Sequence, residues 1–180
     1  MTSNALLCFC GSQQPYADCC EPFHLKTKQP HTAEQLMRAR YSAYAVKNAV
    51  FVRESYAKEK QAENSISEIK DFANSCRFIN LAVLDSGYND ETGFVTFKAH
   101  YFYQDLYCEL AENSRFIKED GQWRYLDGEI TPVADIKVKR NDTCPCGSNK
   151  KYKKWATRPI FKNYTKRKLA FYSPSSSSKS

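Results

Sequence analysis

Phe78-Ile79-Asn80-Leu81-Ala82-Val83-Leu84, closed by Asp85-Ser86-Gly87, is the stretch at which the hydrophobic period of this chain changes. Before it, apolar residues recur every three or four positions; from it onward they crowd or alternate, which is the habit of strands. Gly93 to Tyr103 puts Val95, Phe97, Ala99 and Tyr101 on one face and Thr96, Lys98 and His100 on the other. Tyr107 to Lys118 reads as a further strand, with a bulge expected near Ala111 to Asn113, where the alternation falters. Asp120-Gly121 is a type I′ hairpin signal leading into Gln122 to Leu126.

Upstream of that stretch, Thr32 and Gln35 have the spacing of a capping box that opens a helix. Ala33, Leu36, Met37, Arg40, Tyr41 and Tyr44 then recur at helical spacing through about Val46, and shorter helices are predicted over Val50 to Tyr56 and Ser65 to Asn74. Helices first and an antiparallel meander afterwards predict an α+β domain over 32–136, a curved sheet with helices packed on one side. Its core should take in Leu36, Tyr44, Phe97, Phe116 and Trp123. A linker at 26–31, with its proline at position 30, precedes it.

Cysteines mark both flanks. Residues 1–25 carry Cys8-Phe9-Cys10-Gly11-Ser12, then Tyr16, then Cys19-Cys20; residues 137–156 carry Cys144-Pro145-Cys146-Gly147-Ser148, then Tyr152, then Trp155-Ala156 where a second pair would fall. Four thiolates this close in sequence suit a tetrahedral zinc site, so Cys8, Cys10, Cys19 and Cys20 are expected to hold one structural zinc with no position left for a substrate. The chain must turn sharply after Cys10, and Gly11-Ser12 offers a residue tolerant of positive φ and a hydroxyl for the turn amides. Free cysteines or a redox pair are the competing readings; a disulfide between adjacent cysteines is strained, and Cys-x-x-Cys is absent. Cys144 and Cys146 supply only half a shell, so the second site is expected to be incomplete. Neighbouring lysines favour their thiolate form, predicting alkylation ahead of the first four. Cys76 and Cys108 read as small core residues.

The net charge of +7 is unevenly spread over the 180 residues. Residues 32–136 hold 12 basic and 17 acidic side chains, whereas 137–180 hold 13 basic and one acidic. Such an end is attracted to phosphate backbones or acidic proteins. Lys150, Lys151, Lys153 and Lys154 around Tyr152, and Lys162, Lys166, Arg167 and Lys168 near Tyr164, would bind nucleic acid without sequence preference; a solvated basic tail is the plainer alternative. Residues 157–180, ending in a polyserine run, are expected to be disordered. The first seven residues have no basic and apolar leader, and no run approaches the roughly 20 apolar residues of a membrane span, so a cytoplasmic protein is expected. No Ser-His-Asp order, paired carboxylates or phosphate-cradling glycine loop is present, and no catalytic residue is assigned.

The order Cys-x-Cys-Gly-Ser, a tyrosine five residues past the glycine and a closing Cys-Cys resemble the SEC-C motif, the zinc-binding tail of the SecA translocation motor. By that resemblance Cys8, Cys10 and Cys19 correspond to its three cysteine ligands and Cys20 to the fourth, His or Cys. The run from Arg140 to Lys154 resembles a more basic form of the same motif. A SEC-C motif at each end of a small domain is similar to the YchJ family. Leu36-Met37-Arg38-Ala39-Arg40-Tyr41-Ser42-Ala43-Tyr44, Ser114-Arg115-Phe116 and the run from Asp120 to Gly128 match that family's middle domain, of nuclear-transport-factor-2-like (NTF2-like) fold, a cone of helices wrapped by a strongly curved sheet. The resemblance covers about residues 6–154 and breaks at Trp155-Ala156, since indole cannot ligate zinc.

The SecA module contacts the SecB chaperone and the ribosome, so the resemblance implies a non-enzymatic zinc-binding adaptor whose partners belong to export, chaperone or ribosome assemblies. Its alternative is a small-ligand or enzymatic role for the cavity of the cone, whose mouth Arg38, Arg40, Tyr41, Tyr44 and Arg115 would line. The plainer expectation for these five is core packing and ion pairing.

Overall fold

A computed structural model describes residues 6–145 and 150–152. Cys146, the Trp155-Ala156 departure and the expected tail 157–180 lie outside the described residues. The chain runs α1 (Glu21–His24), α2 (Ala33–Ala45), α3 (Ala49–Glu54) and α4 (Ile66–Ser75), then β1 (Cys76–Tyr88), β2 (Thr92–Tyr103), β3 (Leu106–Glu119), β4 (Gln122–Thr131) and the short β5 (Ile136–Lys137). The three longer helices start on side-chain caps, which satisfy amides that a helix start leaves without partners. Thr32 accepts from the Gln35 amide at 3.1 Å, Asn48 from Phe51 at 3.1 Å and Ser65 from Glu68 at 3.2 Å. The Gln35 side chain reaches back to the amide of His31 at 2.7 Å, completing the box one residue earlier than usual.

The strands form an antiparallel meander in the order β1-β2-β3-β4, with β5 pairing to the start of β3. Asp120 and Gly121 both have positive φ, 52° and 73°, as a type I′ turn between β3 and β4 requires. Register shifts leave Ile79 and Leu84 as extra residues in β1, and Leu126 as the extra residue of β4 opposite Arg115 and Phe116. Each extra residue bends its strand, which curls the sheet around the helices. The bulge expected near Ala111 to Asn113 is not there: the register against β2 is continuous through those residues. The alternation falters because Glu112 occupies a buried, inward-facing position that an apolar residue would normally fill.

Inside the curl, Leu36, Met37 and Tyr41 of α2 meet Leu81, Val95, Phe97, Ala99, Phe116 and Trp123 from the strands. Tyr44 is half-buried rather than sealed in; it joins a second cluster with Ala43, Val52, Tyr56 and Ile69, and its hydroxyl is buried deeply enough to stay protonated well above the ordinary tyrosine range. A stripe at helical spacing would leave α2 a solvent face, yet Ala39 and Ser42 are also fully buried. That side of the helix is covered by the N-terminal cysteine segment. The opposite, outer face of the sheet receives the C-terminal segment: Val138, Cys144 and Tyr152 close over Phe102, with Ile79 and Tyr107 at the edge.

Candidate metal centre

The first cysteine segment is a tight hairpin. Leu7 bridges Pro15, the Cys8 amide donates to the Gln14 carbonyl at 2.8 Å and the Tyr16 amide to that of Leu6 at 2.8 Å. Gly11 turns the tip at φ 79°, and a side chain there would also press the Leu81 carbonyl, 3.2 Å from where a Cβ would sit. Ser12 accepts from the Gln14 amide at 3.3 Å, the role expected of its hydroxyl, and lies 3.2 Å from the Cys19 sulfur. A 3-10 turn over Tyr16–Asp18 and then α1 carry Cys19 and Cys20 back to the hairpin.

The sulfurs of Cys8, Cys10, Cys19 and Cys20 all lie within 4.8 Å of one another, and three of the four residues are buried. Cys10 and Cys19 are 3.6 Å apart and Cys19 and Cys20 3.9 Å, too far for a disulfide. Four sulfurs at about 2.3 Å from a central zinc would be separated by roughly 3.8 Å along each edge of the tetrahedron. The donor set therefore suits a thiophilic dication. The electrostatics agree: hydrogen bonds from Cys10 and Cys20 hold the Cys8 thiol far below its ordinary range, while the hydrogen bonds with Cys10 and Cys8 push Cys20 far up. Burial raises Cys19 to about 11 against the hydrogen bond from Ser12. Four thiolates cannot coexist here without a cation among them.

Three side-chain contacts bind this segment to the central domain. Arg38 donates to the Cys10 carbonyl at 2.9 Å while pairing with Glu34, which takes it out of any cavity mouth. Buried His24 donates from Nε2 to the Ala39 carbonyl at 2.9 Å, accepts at Nδ1 from the Tyr16 hydroxyl at 2.7 Å and lies 4.7 Å from the Phe51 ring. Ser42 reaches the Cys8 sulfur at 3.6 Å. Sequence reasoning assigned none of these roles. His24 falls beside the predicted linker, and Ala39 and Ser42 look like filler between larger residues.

Among the described residues, the second copy repeats three pairings of the first hairpin. Thr143 bridges Lys151, the Cys144 amide donates to the Lys150 carbonyl at 2.8 Å, and the Tyr152 amide to that of Asp142 at 2.9 Å. Cys144, however, is only 3% exposed beneath Val138 and Tyr152, which counts against the ready alkylation its lysine neighbours predict. Of the remaining cysteines, Cys76 and Cys108 are buried, as expected, and burial raises the Cys108 thiol to about 12.

The arginines of the supposed cavity separate. Arg115 is exposed and paired with Asp127 at 2.6 Å. Arg40, 5% exposed, departs from the expected ion pair: among the described residues its guanidinium is held by the Val52 carbonyl at 3.0 Å, by the Ser55 hydroxyl and between the rings of Tyr56 and Tyr125, 4.3 and 4.4 Å from their centres. Tyr125 donates to buried Glu112 at 2.8 Å, as does Ser114 at 2.6 Å. Beside this cluster a cleft of about 370 Å³ opens between α1 with the segment that follows it, α3 and the start of β4, lined by residues including Phe23, Lys28, Phe51, Ser55, Trp123 and Arg124.

A cysteine hairpin clamped to the first long helix of a helix-and-sheet cone, with a second hairpin on the far face of the sheet, defines a small α+β protein of the SEC-C class. Comparisons place it more narrowly. Residues 32–128 match the family model described as the YchJ middle NTF2-like domain, and residues 6–22 and 140–154 match the SEC-C motif. A UPF0225 protein of Vibrio cholerae is 46% identical over 149 residues, covering 82% of this chain and 97% of that one. Another from Photorhabdus laumondii is 40% identical over 154 residues, covering 82% and 96%. The solution structure of a SEC-C motif containing protein from Rhodopseudomonas palustris aligns with a TM-score of 0.66 at 30% identity, over 71% of this chain and all of that one. The crystal structure of another from Psychrobacter arcticus aligns at 0.62 and 26% identity, over 86% and 97%. The chain belongs to the YchJ family.

Proposed function

We propose that Cys8, Cys10, Cys19 and Cys20 bind one zinc ion as thiolates and that the chain is a non-enzymatic, cytoplasmic adaptor which uses this hairpin to engage a protein partner. The observation that carries the metal reading is the convergence of four cysteine sulfurs within 4.8 Å of one another at a largely buried site. An all-sulfur tetrahedron selects zinc over harder dications and leaves no open position for chemistry. The likeness of the hairpin to the SecA tail supports a partner from export, chaperone or ribosome assemblies. Among the described residues no helix is long and apolar enough to cross a membrane.

Elemental analysis of protein purified under reducing conditions tests the metal: one zinc per chain, lost in Cys19→Ser while the central domain keeps its circular dichroism, is the expected result. No zinc in the wild type, or zinc retained by that variant, overturns it. Binding to SecB and co-sedimentation with ribosomes, each abolished by chelation, test the partner. The cleft beside Trp123 favours a second reading, a small ligand held by the central domain, which a thermal-shift screen would register. Charge alone supports nucleic-acid binding by 137–180, which would fall steeply with salt.

A further inference from the structure

Helix α2 does more for the cysteine hairpin than carry it. One side of the helix offers the hairpin Arg38, Ala39 and Ser42, and each makes a specific bond: to the Cys10 carbonyl, from His24 and to the Cys8 sulfur. Only the last touches a metal-ligating atom. We infer that Ser42 is an outer-sphere positioning residue of the metal centre, donating its hydroxyl proton to the Cys8 thiolate and thereby setting the affinity of the site. This rests on the zinc reading above.

The direction of the bond follows from chemistry. A metal-bound cysteine has lost its proton, so Cys8 can only accept and Ser42 must donate. Four thiolates on one dication carry a net charge of −2, and a hydrogen bond to one sulfur draws off part of that density while fixing the side-chain rotamer. Ser42 is fully buried, so no water competes for the proton, and its hydroxyl has no other hydrogen-bond partner among the described residues. A serine inside a helix usually turns its hydroxyl back to the carbonyl four residues earlier; this one faces the sulfur instead. Since Ser42 belongs to the central domain, the hairpin does not own its full ligand environment. Metal loading and docking of the hairpin on α2 are then reciprocal: each strengthens the other.

The test compares wild type and Ser42→Ala in the full chain. Zinc affinity is measured by competition with a chromophoric chelator, and the sulfur-to-metal charge-transfer bands are recorded after cobalt substitution. Ser42→Ala should lose about 10- to 100-fold in affinity, the usual cost of removing an outer-sphere partner, and shift the cobalt bands. The melting temperature of the metal-free protein should hardly move, which separates a role at the metal from a role in packing. Wild type and Ser42→Ala binding zinc equally, with identical cobalt spectra, overturns the role of Ser42 and leaves the zinc reading standing. A wild type that takes up neither metal overturns the zinc reading and this inference together.

Discussion

The Nε2 nitrogen of His24 lies 2.9 Å from the carbonyl oxygen of Ala39, joining the cysteine hairpin to the middle of α2. A carbonyl can only accept, so Nε2 carries the proton, and Nδ1 takes the Tyr16 hydroxyl proton at 2.7 Å. The ring is neutral and fully partnered.

Burial holds the His24 pKa below its ordinary 6.5, outweighing the Ala39 hydrogen bond and the nearby Cys8 and Glu21, which act the other way. A depressed histidine pKa means that the unfolded chain takes up the proton more readily than the folded one. Its contribution to stability is therefore complete above about pH 6.5 and is lost as the pH falls from there toward the folded value. The expected outcome is a wild-type melting temperature that declines below pH 6.5 more steeply than that of His24→Gln, whose amide can still donate to Ala39. An NMR titration placing the His24 pKa at or above 6.5 would refute this.

The element types and the hairpin were legible because each rests on a local signal: the Thr32 cap, the period change at Phe78, the Asp120-Gly121 turn and the cysteine spacing. What escaped were positions decided by a neighbour distant in sequence. Ala39 and Ser42 are buried only because the hairpin lies on them, and Phe102 only because Tyr152 does, at 5.0 Å between ring centres. Glu112 was misread as the sign of a bulge because a carboxylate facing a core contradicts the alternation rule unless its partners, here Ser114 and Tyr125, are already known. Local patterns carry the strands and helices; docking of the two flanks does not appear in them.

Leu36 is 3% exposed between α2 and the sheet, against Phe97, Phe116 and Trp123. Leu36→Ala should cost about 2–5 kcal/mol through the cavity it leaves, read as a lower denaturant midpoint at unchanged slope. A cost under about 0.5 kcal/mol, the size of an ordinary surface change, would contradict its place in the core.

Gly128 stands opposite Ser114 in the β3–β4 pair and diagonal to Glu112, and a Cβ added there would sit 2.6 Å from the Glu112 carboxyl carbon. Glu112 is buried and held by two hydroxyls, so it cannot swing aside without breaking both bonds. Gly128→Ala should therefore destabilise by about 1–3 kcal/mol, as overpacking does. In a Glu112→Ala background the same change should cost much less, because the atoms it strikes are gone. Additive costs would show that the backbone at position 128, rather than the Glu112 side chain, sets the requirement for glycine.

The last prediction concerns the second hairpin. Its backbone reproduces the first at a constant offset: Cys144 to Lys150 as Cys8 to Gln14, Tyr152 to Asp142 as Tyr16 to Leu6, Thr143 beside Lys151 as Leu7 beside Pro15. The scaffold around Cys144 is thus formed without the cysteine pair, anchored by the Tyr152 hydroxyl donating to the Gln104 carbonyl at 2.9 Å. With Trp155-Ala156 where that pair would stand, Cys144 and Cys146 contribute two of four ligands, and a zinc site that organises a fold uses four protein groups. Trp155→Cys together with Ala156→Cys should therefore raise the metal content from one zinc per chain to two, and Tyr152→Phe in that background should weaken the second zinc while leaving the first untouched. A content that stays at one in the double variant would mean that the matching hairpin bonds are not enough to bring a restored pair to Cys144. A content of two in the unaltered chain would mean that another group already completes the second site.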